Sequence, residues 1–226
     1  MADTTSGGPD YTRLAFWSVF VAAIAGLNYY ARFSGSNRQG HTSLYSYSTF
    51  AGGMVIYAIW LGVVLLICID RFDLLALRRP NSWGRALGLA VAVIVAIWSW
   101  EAIVSLIALP QSPGREQGIT NVHWEPAHAG AFAANAVLFT IVAPFVEELT
   151  FRGAGQSLLR FLGRTPSILL IGCAFGLAHG LVEALLILVP FGIALAWVRD
   201  RTESVVPGMF LHALFNGAAL AAVLVS

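Results

Sequence analysis

The sequence predicts an all-α, polytopic transmembrane helical bundle of about seven spans enclosing an intramembrane polar cavity, and three observations carry that prediction. Of 226 residues, 58% are hydrophobic and only 11% are charged, against about 25% charged in a soluble domain. The apolar residues fall into seven long runs separated by polar stretches. The few ionisable side chains inside those runs gather in the C-terminal half, and each would be costly there unless it served a purpose. Seven Trp and fourteen Phe are more bulk than a chain of this size buries in a core of its own. Lipid is therefore the expected solvent.

A spanning helix needs about 20 apolar residues. The stretch from Met1 to Arg13 lacks the basic leader and small-residue cleavage site of a secretory signal, so the first run, 14–33, reads as a retained helix. The polar connection Ser34 to Ser48 leads to a second span, 48–69, and then a third, 86–109, which carries Glu101 beside Trp98 and Trp100. The connection Pro110 to Pro126 precedes the fourth span, 127–149. The fifth and sixth, 166–182 and 184–198, are short and separated only by Gly180 to Glu183, so they also read as one broken element. The seventh is 205–225.

Every basic residue is Arg, and their placement gives an orientation. With the N-terminus cytoplasmic, the inner segments hold Arg13, Arg71, Arg78, Arg79, Arg85, Arg152, Arg160, Arg164, Arg199 and Arg201; the outer ones hold only Arg32, Arg38 and Arg115. The C-terminus then falls on the opposite side. Net charge is +1 and no basic stripe is interleaved with aromatics, so no nucleic-acid partner is expected. Cys68 and Cys173 lie in apolar runs, form no CxxC pair and read as small buried hydrophobes.

Three helices carry the polar residues. The fourth span ends in Pro144-Phe145-Val146-Glu147-Glu148-Leu149-Thr150-Phe151-Arg152. Glu148 and Arg152 are four apart with the acid first, the favoured order for an intrahelical ion pair. Glu147 lies about 100° around the helix from Glu148, beyond easy reach of the same guanidinium, and is the carboxylate free to act as a base. Pro144 removes the hydrogen bond to the Thr140 carbonyl and should bend the helix there. In the fifth span Phe175 and His179 share a face, and Gly172, Gly176 and Gly180 form a small-residue stripe that admits a close neighbour. In the seventh, His212 and Asn216 project side by side as a pair able to hold an oxyanion. Each motif alone also fits a plainer role, as an interfacial charge cluster or as polar glue between helices. Three such helices make better sense if they meet.

Taken together, Glu147-Glu148-xxx-Arg152, Phe175-xxx-His179 and His212-xxx-Asn216 resemble the CAAX-protease and bacteriocin-processing family of intramembrane peptidases over roughly 131–222. The resemblance implies N-terminal transmembrane helices and loops at 1–126 and a catalytic helical core at 127–226. It implies a cavity open to the cytoplasm in which Glu147 and His179 activate water, with His212 and Asn216 stabilising the oxyanion. Glu148, Arg152 and Phe175 would support them. The partners implied are membrane lipid and a membrane-associated peptide or protein substrate. No cofactor is expected; the alternative is Zn²⁺ held by Glu147, His179 and His212. Two other functions fit the composition: a non-catalytic regulator or immunity protein that binds a partner helix through the glycine stripe, and a small proton-coupled transporter.

Other candidates are weaker. Glu101 would either extend the polar cavity or stand as a structural carboxyl. His123, Glu125 and His128 share a loop where metal ligation is possible but solvation is the plainer reading. The spans also raise a difficulty of depth. His179 lies about 20 Å along its helix from Pro166, whereas Glu147 sits near the inner end of a span that stops at 149. Either the fifth helix starts below the membrane plane or the chain folds back after Arg152, where Gly153-Ala154-Gly155 would end or bend the helix.

Overall fold

The computed structural model describes residues 8–34, 43–107 and 124–224, and these are helical apart from their connections. Seven rods follow in order: α1 (Tyr11–Phe33), α2 (Tyr47–Ile67), α3 (Trp83–Ile107), α4 (Pro126–Leu158), α5 (Arg164–Ala178), α6 (Leu185–Thr202) and α7 (Val206–Val223). The first four are long and apolar enough to cross a membrane, while α5 and α7 are shorter apolar helices. Asp10 caps α1 by accepting from the Arg13 backbone N–H, and Ser46 caps α2 by accepting from that of Ser48. The positive φ of 67° at Gly180 closes α5 in the left-handed conformation that glycine adopts without strain.

α4 occupies the centre, touching α1, α2, α5, α6 and α7, while α3 packs on α6 and α7. The outer faces of α1, α2 and α3 present Phe16, Leu27, Ile56, Leu66, Leu87 and Val95, all exposed as lipid-facing side chains should be. The chain is an integral membrane protein built as a helical bundle. Cys173 departs from expectation: Cys68 is buried, but Cys173 is exposed on α5.

The main departure concerns α4, which runs to Leu158 rather than stopping at 149. Gly153 and Gly155 neither end nor break it. They lie in a π-helical segment, Leu149–Gly155, in which the Gln156 N–H reaches back to the Phe151 carbonyl. Their small size serves close approach instead. A Cβ on Gly153 would stand 2.7 Å from the Leu75 carbonyl oxygen, and one on Gly155 would collide with the Trp17 ring. A second π-helical segment, Leu138–Val142, precedes Pro144, with the Ala143 N–H bonded to the Leu138 carbonyl. This wider turn makes room for the proline ring, which in a regular α-helix would press on the Thr140 carbonyl.

The fifth and sixth spans are two separate antiparallel helices, not one broken element. The glycine stripe is used between them. A Cβ on Gly172 would lie 2.7 Å from the Ile193 backbone nitrogen, one on Gly176 would press on Val189, and one on Gly192 would lie 2.8 Å from the Gly172 carbonyl oxygen. Gly180 in turn meets the backbone of Asn28 in α1. Glycine here permits backbone-to-backbone packing inside the chain.

Candidate active site

The longer α4 removes the difficulty of depth. Eleven residues separate Glu147 from the end of α4 at Leu158, about 16 Å at 1.5 Å per residue. Glu147 therefore lies well inside the bundle, at the level reached by His179 at the end of α5. Neither a re-entrant segment nor a displaced fifth helix is required. Arg152, counted above with the inner loops, is likewise inside, and its side chain is wholly buried.

α4, α5 and α7 bring six of the seven expected side chains into one cluster. Glu147 Oε2 lies 3.9 Å from His179 Nε2 and 3.8 Å from His212 Nε2. The outer nitrogen of each ring has its own partner. His179 Nδ1 is 2.7 Å from the Phe175 carbonyl, which can only accept, so Nδ1 carries the hydrogen. His212 Nδ1 is 3.1 Å from Glu148 Oε1 and donates to it. In the neutral rings both Nε2 lone pairs therefore face Glu147. Phe175 supports both rings edge-on, with centroids 4.6 Å from His179 and 5.5 Å from His212.

Glu148 and Arg152 form the expected i, i+4 pair, with Nη1 to Oε1 at 2.8 Å and both side chains fully buried. Arg152 Nη2 also donates to the Gly192 carbonyl at 3.1 Å, and its guanidinium carbon lies 4.1 Å from the Phe175 ring centroid. One carboxylate oxygen of Glu148 thus receives both Arg152 and His212. α7 comes very close at this point: a Cβ on Gly208 would lie 2.7 Å from Glu148 Oε2.

Asn216, expected with His212 to hold an oxyanion, already has a partner on α4. Its Nδ2 donates to the Phe139 carbonyl at 2.9 Å. In the π-helical segment that carbonyl would look five residues ahead for a donor, and the residue there is Pro144, which has no N–H. The proline orphans the acceptor, and Asn216 satisfies it with one amide hydrogen, leaving the second.

A further participant lies on α2. Tyr57 Oη donates to Glu147 Oε1 at 2.9 Å, and Trp60, stacked on Tyr57, donates from Nε1 to Thr150 Oγ1 at 2.7 Å. Nothing in the sequence pairs residues 90 apart, and hydropathy rates α2 simply as apolar. The available signal is two polar-tipped aromatics, Tyr57 and Trp60, three residues apart on one helical face.

Glu101 is not part of this cluster; its side chain makes no hydrogen bond or ion pair among the described residues. At the start of α4 His128 Nδ1 pairs with Glu125 at 2.9 Å, and His123 lies outside the described residues. As for a metal, Glu147, His179 and His212 are the right donor types for zinc. Their 3.8 and 3.9 Å separations exceed the roughly 3.4 Å edge of a tetrahedron with bonds of about 2.0–2.1 Å. No three His, Cys, Asp or Glu among the described residues gather as a ligand cage.

The comparison with known families bears on the same segment. The family model for type II CAAX prenyl endopeptidase Rce1-like proteins matches residues 129–218. Over these residues the chain is similar to the Rce1-like family. The Rce1-like segment contains all three motifs, from Glu147 to Asn216. Tyr57 and Trp60 fall outside the Rce1-like segment. No curated protein and no solved structure matches the chain.

Proposed function

We propose that the chain is an intramembrane endopeptidase that hydrolyses a peptide bond of a membrane-associated protein or peptide by metal-free, glutamate-based chemistry. The observation that carries the reading is the convergence of Glu147 Oε2 with two imidazole Nε2 atoms at 3.9 and 3.8 Å. A water bonded to Glu147 Oε2 and His179 Nε2 is polarised by both, and Glu147 takes its proton as the hydroxide attacks the carbonyl carbon. His179 orients that water. His212, held through Nδ1 by Glu148, would donate from Nε2 to the developing oxyanion when that nitrogen carries a hydrogen, helped by the remaining amide hydrogen of Asn216. Glu147 then returns the proton to the leaving amine.

Glu147→Gln tests this by removing the base while keeping the volume. The expected result is loss of cleavage by about a thousandfold or more, with Glu101→Gln unchanged. Retention of cleavage by Glu147→Gln would overturn the proposal. Treatment with a chelator is expected to leave the rate unaltered, and loss restored by added zinc would replace the metal-free route. The regulator reading is disfavoured because the glycines that would seat a partner helix already seat α6 and α1.

A further inference from the structure

The geometry points to Tyr57, on α2 and outside the Rce1-like segment, as a positioning residue for the base: its hydroxyl holds Glu147 Oε1 so that Oε2 alone faces His179 and His212. This rests on the reading of Glu147 given above. The terminal torsion of a glutamate is broad and roughly two-fold, so a carboxylate held on one side only can turn either oxygen toward the water. The hydrogen bond from Tyr57 at 2.9 Å breaks that symmetry. It binds the oxygen that is not used, leaving the other at 3.9 and 3.8 Å from the two imidazoles.

The phenol is itself held. Tyr57 stacks on Trp60 with ring centroids 5.6 Å apart, and Trp60 stacks edge-on against Phe20 of α1 at 5.9 Å. Trp60 Nε1 donates to Thr150 Oγ1, which donates in turn to the Val146 carbonyl at 2.7 Å. α2 therefore grips α4 at two points three residues apart, Glu147 and Thr150, through Tyr57 and Trp60, also three apart. The two helices run parallel in a matched register. Trp17 of α1 adds a third hold by donating to the Thr150 carbonyl at 2.9 Å. The N-terminal helices thus supply the frame that sets the rotation of α4 about its axis and the aim of its glutamate.

Tyr57→Phe keeps the ring, its stacking and the bulk while deleting one hydroxyl. The expected result is a fall in kcat of about ten- to a hundredfold, the worth of a hydrogen bond to a charged group, with KM held within about twofold and the melting temperature unchanged. Replacing Tyr57 with p-aminophenylalanine, which restores a donor at the same ring position, is expected to recover most of kcat. Wild-type kcat in Tyr57→Phe would overturn the inference. So would a loss that appears equally in stability, or that the amino analogue fails to restore. Glu147→Gln measured alongside separates the two claims: if it stays active, the reading of the base has failed. If it is inactive while Tyr57→Phe is fully active, only the role of Tyr57 has failed.

Discussion

Arg152→Met is the most demanding test of how the site is held together. Methionine has comparable length and no charge, so the change removes the guanidinium and little packing volume. In the native chain that group makes an ion pair with Glu148 at 2.8 Å, a hydrogen bond to the Gly192 carbonyl at 3.1 Å, and a contact at 4.1 Å with the Phe175 ring. All are fully buried. The substitution strands the Glu148 carboxylate in a low-dielectric interior with only His212 to stabilise it. Breaking a buried pair in this way costs about 3–5 kcal/mol, much of it the penalty of the abandoned charge. The double variant Glu148→Gln/Arg152→Met removes both charges and should recover about 2 kcal/mol of that loss, a coupling in the range seen for residues in one network. Reversible unfolding in mixed micelles, compared across wild type, both single variants and the double, measures it. An Arg152→Met variant within about 1 kcal/mol of wild type, or a double variant whose loss is the sum of the singles, would refute the reasoning.

Two further outcomes follow from the packing. Pro144→Ala restores an N–H that can reach the Phe139 carbonyl and so displaces Asn216; cleavage is expected to fall about tenfold with stability equal to or above wild type, and undiminished cleavage would count against the role of the proline. Gly192→Ala places a Cβ 2.8 Å from the Gly172 carbonyl oxygen and 3.0 Å from its Cα, forcing α5 and α6 apart at a cost of about 1–3 kcal/mol. Gly62→Ala, with nothing within 4 Å of its added Cβ, should stay within about 0.5 kcal/mol of wild type in the same unfolding assay.

Some of this architecture is legible because it is local. The apolar runs locate all seven rods, and the spacing of Glu148 and Arg152, or of Phe175 and His179, carries over directly into contacts. The end of α4 was not legible. A triplet such as Gly153-Ala154-Gly155 reads as a helix breaker unless one knows that Leu75, Trp17 and Ile171 stand against it. The same holds for Asn216, whose partner is an orphaned carbonyl in a π-helical segment on another helix.

By itself, the sequence determined that the chain is a helical membrane protein, that its polar chemistry lies on three C-terminal helices, and that Glu147 is the carboxylate left without the guanidinium. Those conclusions depend on hydropathy and on the 3.6-residue period, which act within a single segment. Only the tertiary structure decided that Glu147 and His179 lie at one depth, that the glycine stripe is occupied within the chain, and that Tyr57 reaches Glu147. Those depend on which backbones approach across the bundle. Helix packing sets that approach through contacts between residues far apart in the chain, and no pattern within one span records them.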